Sequence, residues 1–282
     1  MKILLTGANA QLGMALREAS RGSGDNWLFS DIASAPGLDT LYLDITNPDA
    51  VSLVLRSEKP DVIINCADDR SLPDQLRHLA PASLSAMARE NGAVLIHFSW
   101  ADVLDSTFPL PQQESFPARP GGPLGAAALQ GEDAILASGC RAIIFRTQWI
   151  YGRFGKNRVK SLLQGRPGQK IPYDVLGSPT SARELAALVA GIVAQRRFDA
   201  PGLYHYSGEG VCSLYDLAFT ARRLMGIEGP PTPCRASQVR EYSPSCVLLD
   251  KAKVKKTFGI RIPHWSVSLE NCLQLWNSQE KK

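Results

Sequence analysis

Short apolar runs alternate with segments of helical period along the first half of the chain. The runs are KILLT (residues 2–6), WLFS (27–30), TLYL (40–43), DVIINCA (61–67), AVLIHFS (93–99) and CRAIIFR (140–146). Between them, LGMALREAS (12–20), PDAVSLVLRSE (48–58), PDQLRHLAPASLSAMAREN (73–91) and AAALQGEDAILAS (126–138) repeat their apolar positions every three or four residues. Strands that are apolar throughout must be covered on both faces. The pattern therefore predicts an α/β fold with a doubly wound, Rossmann-like parallel sheet. Asn47 followed by Pro48 predicts a capped helix start, and Pro81 predicts a kink or break in the longest helical segment.

Beyond about residue 150 the rhythm becomes mixed. It predicts a helix near 159–164, a Gly/Pro-rich link, a helix over 181–195, a strand over 202–208, a helix over 213–226 and a last helix near 268–276. The expected organisation is a nucleotide-binding sheet domain over 1–150, with 171–200 packing back on it. A smaller α/β substrate lobe, made of 151–170 and 201–282, would sit at the carboxyl ends of the strands, where open α/β sheets bind ligands.

Composition narrows the classes. With 282 residues, 44% hydrophobic and 21% charged, the chain reads as a globular protein able to bury a full core. The net charge of +4 comes from basic residues spread along the sequence, with DKAKVKK (250–256) the densest group, a spacing expected of a solvated helix face rather than a nucleic-acid surface. Six scattered cysteines without a C-x-x-C pair predict neither a metal site nor a disulfide framework. The apolar run at the amino end is too short for a signal peptide, and no membrane segment is visible. Reduced thiols and a cytoplasmic protein are the expectation.

The first strand runs into LLTGANAQLG. Gly7 and Gly13 fit the spacing G-x-x-G-x-x-G, and Ala10 stands where the middle glycine would be. Such a turn at a helix head directs backbone N–H groups at a pyrophosphate, with Gln11 and Leu12 opening the helix. A turn that merely joins strand to helix is the alternative. Asp31 after the second strand is placed to meet ribose hydroxyls and repel a 2′-phosphate, which favours NAD(H) over NADP(H). Asp44 and Ile45 after the third strand would flank an adenine, and Cys66 and Ala67 would close the site after the fourth. Each acid alone reads equally well as a loop residue or a helix cap.

The motifs LLTGANAQLG, PDVIINCA, LRHLAP, GAVLIHFS, FRTQWIYGRFGKNRVKSLL, LGSPTSARELA, GLYHYSGEG and VLLDKAKVKKTFGI resemble those of the extended short-chain dehydrogenase/reductases, most closely the dTDP-4-dehydrorhamnose reductase family. The resemblance spans nearly the whole chain. It implies an NAD(P)H-dependent reductase acting on a 4-keto sugar nucleotide in dTDP-rhamnose biosynthesis. The later motifs carry most weight, since a glycine turn is shared by many families.

Ketone reduction needs a hydride and a proton for the developing alkoxide. The family supplies the proton from a Tyr activated by a Lys in Y-x-x-x-K, supported by a Ser/Thr at a strand end. Here the strand-end segment reads SWADVL: Ser99 keeps the first position, and Trp100, Ala101 and Asp102 replace T-D-Y. The Tyr and Lys positions, anchored by LQGE, fall on Leu124 and Ala128. There is no Tyr between Tyr42 and Tyr151 and no Lys between Lys59 and Lys156. The loop DDRSLPDQ (68–75) is shorter than the family's, and Arg77 replaces an Asn. Asp102 would be ionised unless desolvated, His97 reads as a packed strand residue, and Tyr151 and Lys156 belong to a loop motif.

On the substrate side the resemblance points to Trp149, Arg153, Asn157, Pro179 and Thr180 as sugar-nucleotide contacts. Arg146, Lys156 and Arg158 are candidates to meet the diphosphate, with surface solubility as the alternative; Pro179–Thr180 could instead cap the following helix. Trp149, Tyr204 and Trp265, at strand or loop ends, read as core more readily than as ligand platforms. Two functions stay open. One is a dehydrorhamnose reductase-like protein that binds dinucleotide and sugar nucleotide, or a protein partner, with little or no catalysis. The other is an active reductase of dTDP-4-dehydro-L-rhamnose or a related sugar. A homodimer is compatible with either.

Overall fold

The computed structural model describes residues 1–67, 79–243 and 245–279. Seven strands form one sheet, and every neighbouring pair in it is parallel. In chain order they are β1 (Lys2–Thr6), β2 (Asn26–Asp31), β3 (Leu41–Tyr42), β4 (Val62–Asn65), β5 (Val94–Trp100), β6 (Arg141–Thr147) and a last strand, Gly202–His205. Across the sheet the order is Gly202–His205, β6, β5, β4, β1, β2, β3. The order reverses between β1 and β4, so a crevice opens there at the carboxyl ends of the strands.

Helices cover both faces, which is why β4 and β5 are buried almost end to end. On one face α1 (Gln11–Ala19) and α6 (Ala182–Ala194) pack Leu12, Ala15, Leu16, Leu185, Val189 and Ile192 against Ile3, Ile64 and Ile96. On the other, α2 (Pro48–Glu58), α3 (Leu79–Glu90) and α4 (Pro123–Ser138) cover Leu4, Ile63, Leu95 and Ile144. Asn47 caps α2 by accepting from the N–H groups of Asp49 (3.0 Å) and Ala50 (3.2 Å). Pro81 lies within α3, three residues into its described part. The helix expected over 73–91 is seen from residue 79 onward, and 73–78 lie outside the described residues. Helix α4 starts three residues before the periodic segment, because Pro123 fits a first helical position.

The structure redraws one boundary. The strand 202–205, assigned from sequence to the smaller lobe, pairs with β6 in the main sheet. Val254, Phe258 and Ile262 follow it into the main core beside Phe145 and Tyr204. An apolar run predicts burial but not which sheet edge supplies it, and α6 provides the crossover that returns the chain to the parallel edge. The remaining carboxyl-terminal elements build a lobe around Tyr151, Val159, Leu162, Leu214, Leu217, Trp265 and Leu269. Its helices are α5 (Arg158–Leu163), α7 (Leu214–Leu224) and α8 (Trp265–Gln279). Among the described residues, no helix is long and apolar enough to cross a membrane, and no His/Cys/Asp/Glu cluster could hold a metal.

Candidate functional site

The crevice between the sheet ends and the lobe is a cavity of about 1020 Å³. At its amino-terminal end β1 turns through Gly7 at φ +65°. A Cβ on Gly7 would run into the backbone of Ala67, and one on Gly13 into the carbonyl of Gly7, so strand, turn and helix approach as only glycines allow. Ala10 is the N-cap of α1 but offers no side-chain cap, and the first turn carries no acid. The positive helix end and its open N–H groups are thus left for an anion. Ala10, Gln11, Leu12, Ile45, Cys66 and Ala67 all line the cavity. The Gln11 amide nitrogen is buried without a partner among the described residues. Asp31 accepts from the N–H groups of Asn9 and Ala33, both at 3.0 Å, and so sits beside the turn. Asp44 instead caps Thr46 through its N–H (2.9 Å) and hydroxyl (2.7 Å) and is not in the cavity wall.

At the middle of the cavity β5 ends in Ser99 and Trp100. Ser99 is 1% exposed and donates to Glu132 at 2.5 Å. Glu132, itself 1% exposed, is gripped by Arg146 through Nε (3.0 and 3.1 Å) and Nη2 (2.6 Å). This corrects the sequence-based placement of Arg146 at a diphosphate: its charge is spent inside the fold. Leu124 and Ala128 lie one turn apart at the head of α4 and both line the cavity, Leu124 being 43% exposed. The helix head is held close by Gly125, where a Cβ would collide with the Asp102 carbonyl.

Three other titratable side chains were candidates near this point. Asp102 is exposed and lines the cavity. Tyr151 is fully buried, and burial pushes its phenol far above the ordinary range. His97 lines the cavity, and burial pulls it down to about 4. Asn65 Oδ1 accepts from the Thr6 hydroxyl (2.8 Å) and the Ala67 N–H (3.2 Å), so its amide nitrogen faces His97 Nδ1 at 3.1 Å. That bond assigns the imidazole proton to Nε2. Neutral His97 can donate a hydrogen bond but does not release a proton at pH 7. The Asn65–His97 pair was not evident in the sequence, where both read as strand residues.

The lobe closes the other end. Trp149, Lys156, Asn157 and Arg158 line it, with Tyr242 opposite. The Arg158 guanidinium lies 5.4 Å from the centre of the Trp149 ring. Asn157 caps α5 by accepting from Lys160 N–H (3.0 Å) and donates to the Gly152 carbonyl (2.7 Å), which fixes the loop between. Arg153 pairs with Glu18 of α1 and is not among the cavity-lining residues. Pro179 and Thr180 are buried and away from the cavity; the Thr180 hydroxyl donates to the Gln148 carbonyl at 2.7 Å. The following helix is capped by Ser181 rather than by either of them. Arg77 and the loop 68–75 lie outside the described residues.

Comparison with known proteins agrees with this architecture. The family model described as the RmlD substrate binding domain matches residues 1–278. The dTDP-4-dehydrorhamnose reductase of Escherichia coli K12 is 30% identical, with 97% of both chains covered. The crystal structure of a dTDP-4-dehydrorhamnose reductase from Clostridium acetobutylicum superposes with a TM-score of 0.89 at 30% identity, covering 98% of this chain and 100% of the other. That of the Bacillus anthracis enzyme in complex with NADP has a TM-score of 0.84 at 23% identity, with 96% and 98% covered. From the glycine turn to the last helix, the chain belongs to the dTDP-4-dehydrorhamnose reductase family.

Proposed function

We propose that this chain is a ligand-binding member of the family with little or no reductase activity. It takes a nicotinamide dinucleotide, NAD(H) in preference to NADP(H), together with a sugar nucleotide. The observation that carries the reading is the identity of the two side chains at the head of α4: Leu124 and Ala128 face the cavity where the family has its proton-relay pair.

The residues present fit the dinucleotide. Gly7 and Gly13 allow close backbone approach, the uncapped head of α1 faces the cavity, and the unpartnered Gln11 amide offers a donor there. Asp31 stands at the ribose edge and Ile45 beside the adenine position. When bound, the nicotinamide supplies hydride chemistry. At the sugar end Lys156, Asn157 and Arg158 supply donors and charge for a diphosphate, and Trp149 supplies an aromatic wall.

What the chain does not supply is the proton. A positioned acid–base group contributes about 10²- to 10⁴-fold, and at Leu124 and Ala128 the chain carries two aliphatic side chains in its place. The test is NADH oxidation with dTDP-4-dehydro-L-rhamnose, alongside binding of NADH and of dTDP-sugar measured separately. Binding of both with turnover far below about 1 s⁻¹ supports the reading. Turnover on that order or above overturns it in favour of an active reductase, which the open cavity could accommodate.

A further inference from the structure

Arg17, in the second turn of α1, belongs to none of the sequence motifs, yet its guanidinium is held by four protein acceptors. Nε donates to the Ala8 carbonyl (3.2 Å) and Nη1 to the Asp39 carbonyl (3.1 Å). Nη2 donates to Asn9 Oδ1 (3.2 Å), to the Asp39 carbonyl (3.1 Å) and to the Thr40 hydroxyl (2.8 Å). Its Cζ lies 4.1 Å from the centre of the Phe29 ring. Asn9 continues the lattice, donating through Nδ2 to the Ala33 carbonyl (2.6 Å) and through its N–H to Asp31 (3.0 Å). The glycine turn, the end of β2 and the segment entering β3 are therefore laced together through one side chain.

A cation in this place has two opposite uses. A free guanidinium would seize a 2′-phosphate in bidentate fashion. This one already has four protein acceptors and a ring under it, and swinging out would leave the Asp39 carbonyl and Asn9 unpaired. The Arg17 lattice instead fixes Asn9 and Ala33, and these hold both oxygens of the Asp31 carboxylate.

We propose that Arg17 is the positioning residue for cofactor choice: it locks Asp31 at the ribose edge, so that the site accepts a dinucleotide with a free 2′-hydroxyl and refuses one with a 2′-phosphate. This rests on the dinucleotide reading above. Asp31 rewards the hydroxyl with a hydrogen bond and repels the phosphate as a like charge. Loss of Arg17 lets the ribose segment move, so the reward disappears, whereas a phosphate that never used it loses little.

The experiment is fluorescence titration of NADH and NADPH against the full chain and its Arg17→Met, Arg17→Lys and Thr40→Val variants. Wild type should bind NADH at least about tenfold more tightly than NADPH. Arg17→Met should weaken NADH about tenfold while changing NADPH less than about threefold, with dTDP affinity unaltered. Arg17→Lys should recover part of the NADH affinity. Thr40→Val, which removes only the shortest Arg17 bond, should shift NADH the same way by about threefold and serves if Arg17→Met does not fold. Wild-type binding of NADPH as tight as NADH, or an unchanged ratio in the variants, overturns the proposal. Failure of wild type to bind either dinucleotide at millimolar concentration overturns the dinucleotide reading itself, a separate outcome.

Discussion

Installing the missing pair tests the reading of α4 most directly. Leu124→Tyr and Ala128→Lys place a phenol and an ammonium one turn apart on the cavity-lining side of the helix head, and Trp100→Thr supplies a hydroxyl at the strand end. Leu124 is 43% exposed, so a larger side chain has room there. At about 5 Å and an effective dielectric near 20, the ammonium stabilises the phenolate by roughly 3 kcal/mol, or about two to two and a half pH units. The phenol's ordinary value of about 10 then falls to between 7 and 8, further helped by the acid-free first turn of α4. A proton donor in that range should raise turnover by about 10²- to 10⁴-fold over the wild-type chain. The assay is NADH oxidation with dTDP-4-dehydro-L-rhamnose at saturating concentrations of both. A folded triple variant that binds both ligands yet gains less than about tenfold refutes the proposal that Leu124 and Ala128 limit turnover.

Three further outcomes are expected. Arg146→Met leaves Glu132 buried and unpaired and should cost about 3–5 kcal/mol in urea unfolding, whereas Glu132→Leu combined with Arg146→Met should cost less than the single change. Burial holds His97 at about 4 and His205 at about 3, both below the ordinary 6.5. The unfolded chain therefore binds protons that the folded chain does not, and stability should fall as pH drops from 6.5 towards 4, by up to about 2.7 kcal/mol per unit from the two groups. His205→Gln should halve that histidine contribution in pH-dependent unfolding. Gly7→Ala, at φ +65° and against the Ala67 backbone, should abolish NADH binding, while Ala10→Gly should change it by less than about threefold if the methyl group is tolerated.

The sheet was legible because its chemistry is local. Runs such as DVIINCA and AVLIHFS have no polar face to expose, and that alone demands helices on both sides. The same locality explains the one boundary that moved: GLYHYSG is apolar enough for burial, but the partner of Gly202–His205 is β6, 59 residues earlier by register (Gly202 opposite Ile143), and nothing in the run names it. Among site residues, Gly7, Ala10, Gln11 and Leu12 lie on one contiguous stretch, so spacing alone could nominate them. Arg146 could not be placed that way. Beside FRTQWIYG it reads as a lobe-facing cation, and only the fold shows Glu132 waiting for it from the middle of α4. Arg17 was silent for the same reason, since an arginine on an amphipathic helix looks solvated until the carbonyls of Ala8 and Asp39 close on it.

The departures from the family pattern fall on a definite side of a physical line. Glu132, Gly125 and Ser99 are inward-facing and interlocked: Ser99 bonds Glu132, Glu132 holds Arg146, and Gly125 allows the helix head against the Asp102 carbonyl. Leu124, Ala128 and Trp100, on the same elements and lining the cavity together with Ser99 and Gly125, take no part in that interlocking and differ from the family's residues. Changing an inward residue strands a buried charge or forces a backbone shift, at a cost of several kcal/mol. Changing Leu124, which is 43% exposed, strands no charge and costs the fold little. The helix GGPLGAAALQGED, apolar at its head and acidic in its second half, holds both: Glu132 supports the scaffold, and Leu124 and Ala128 set what the cavity can still do.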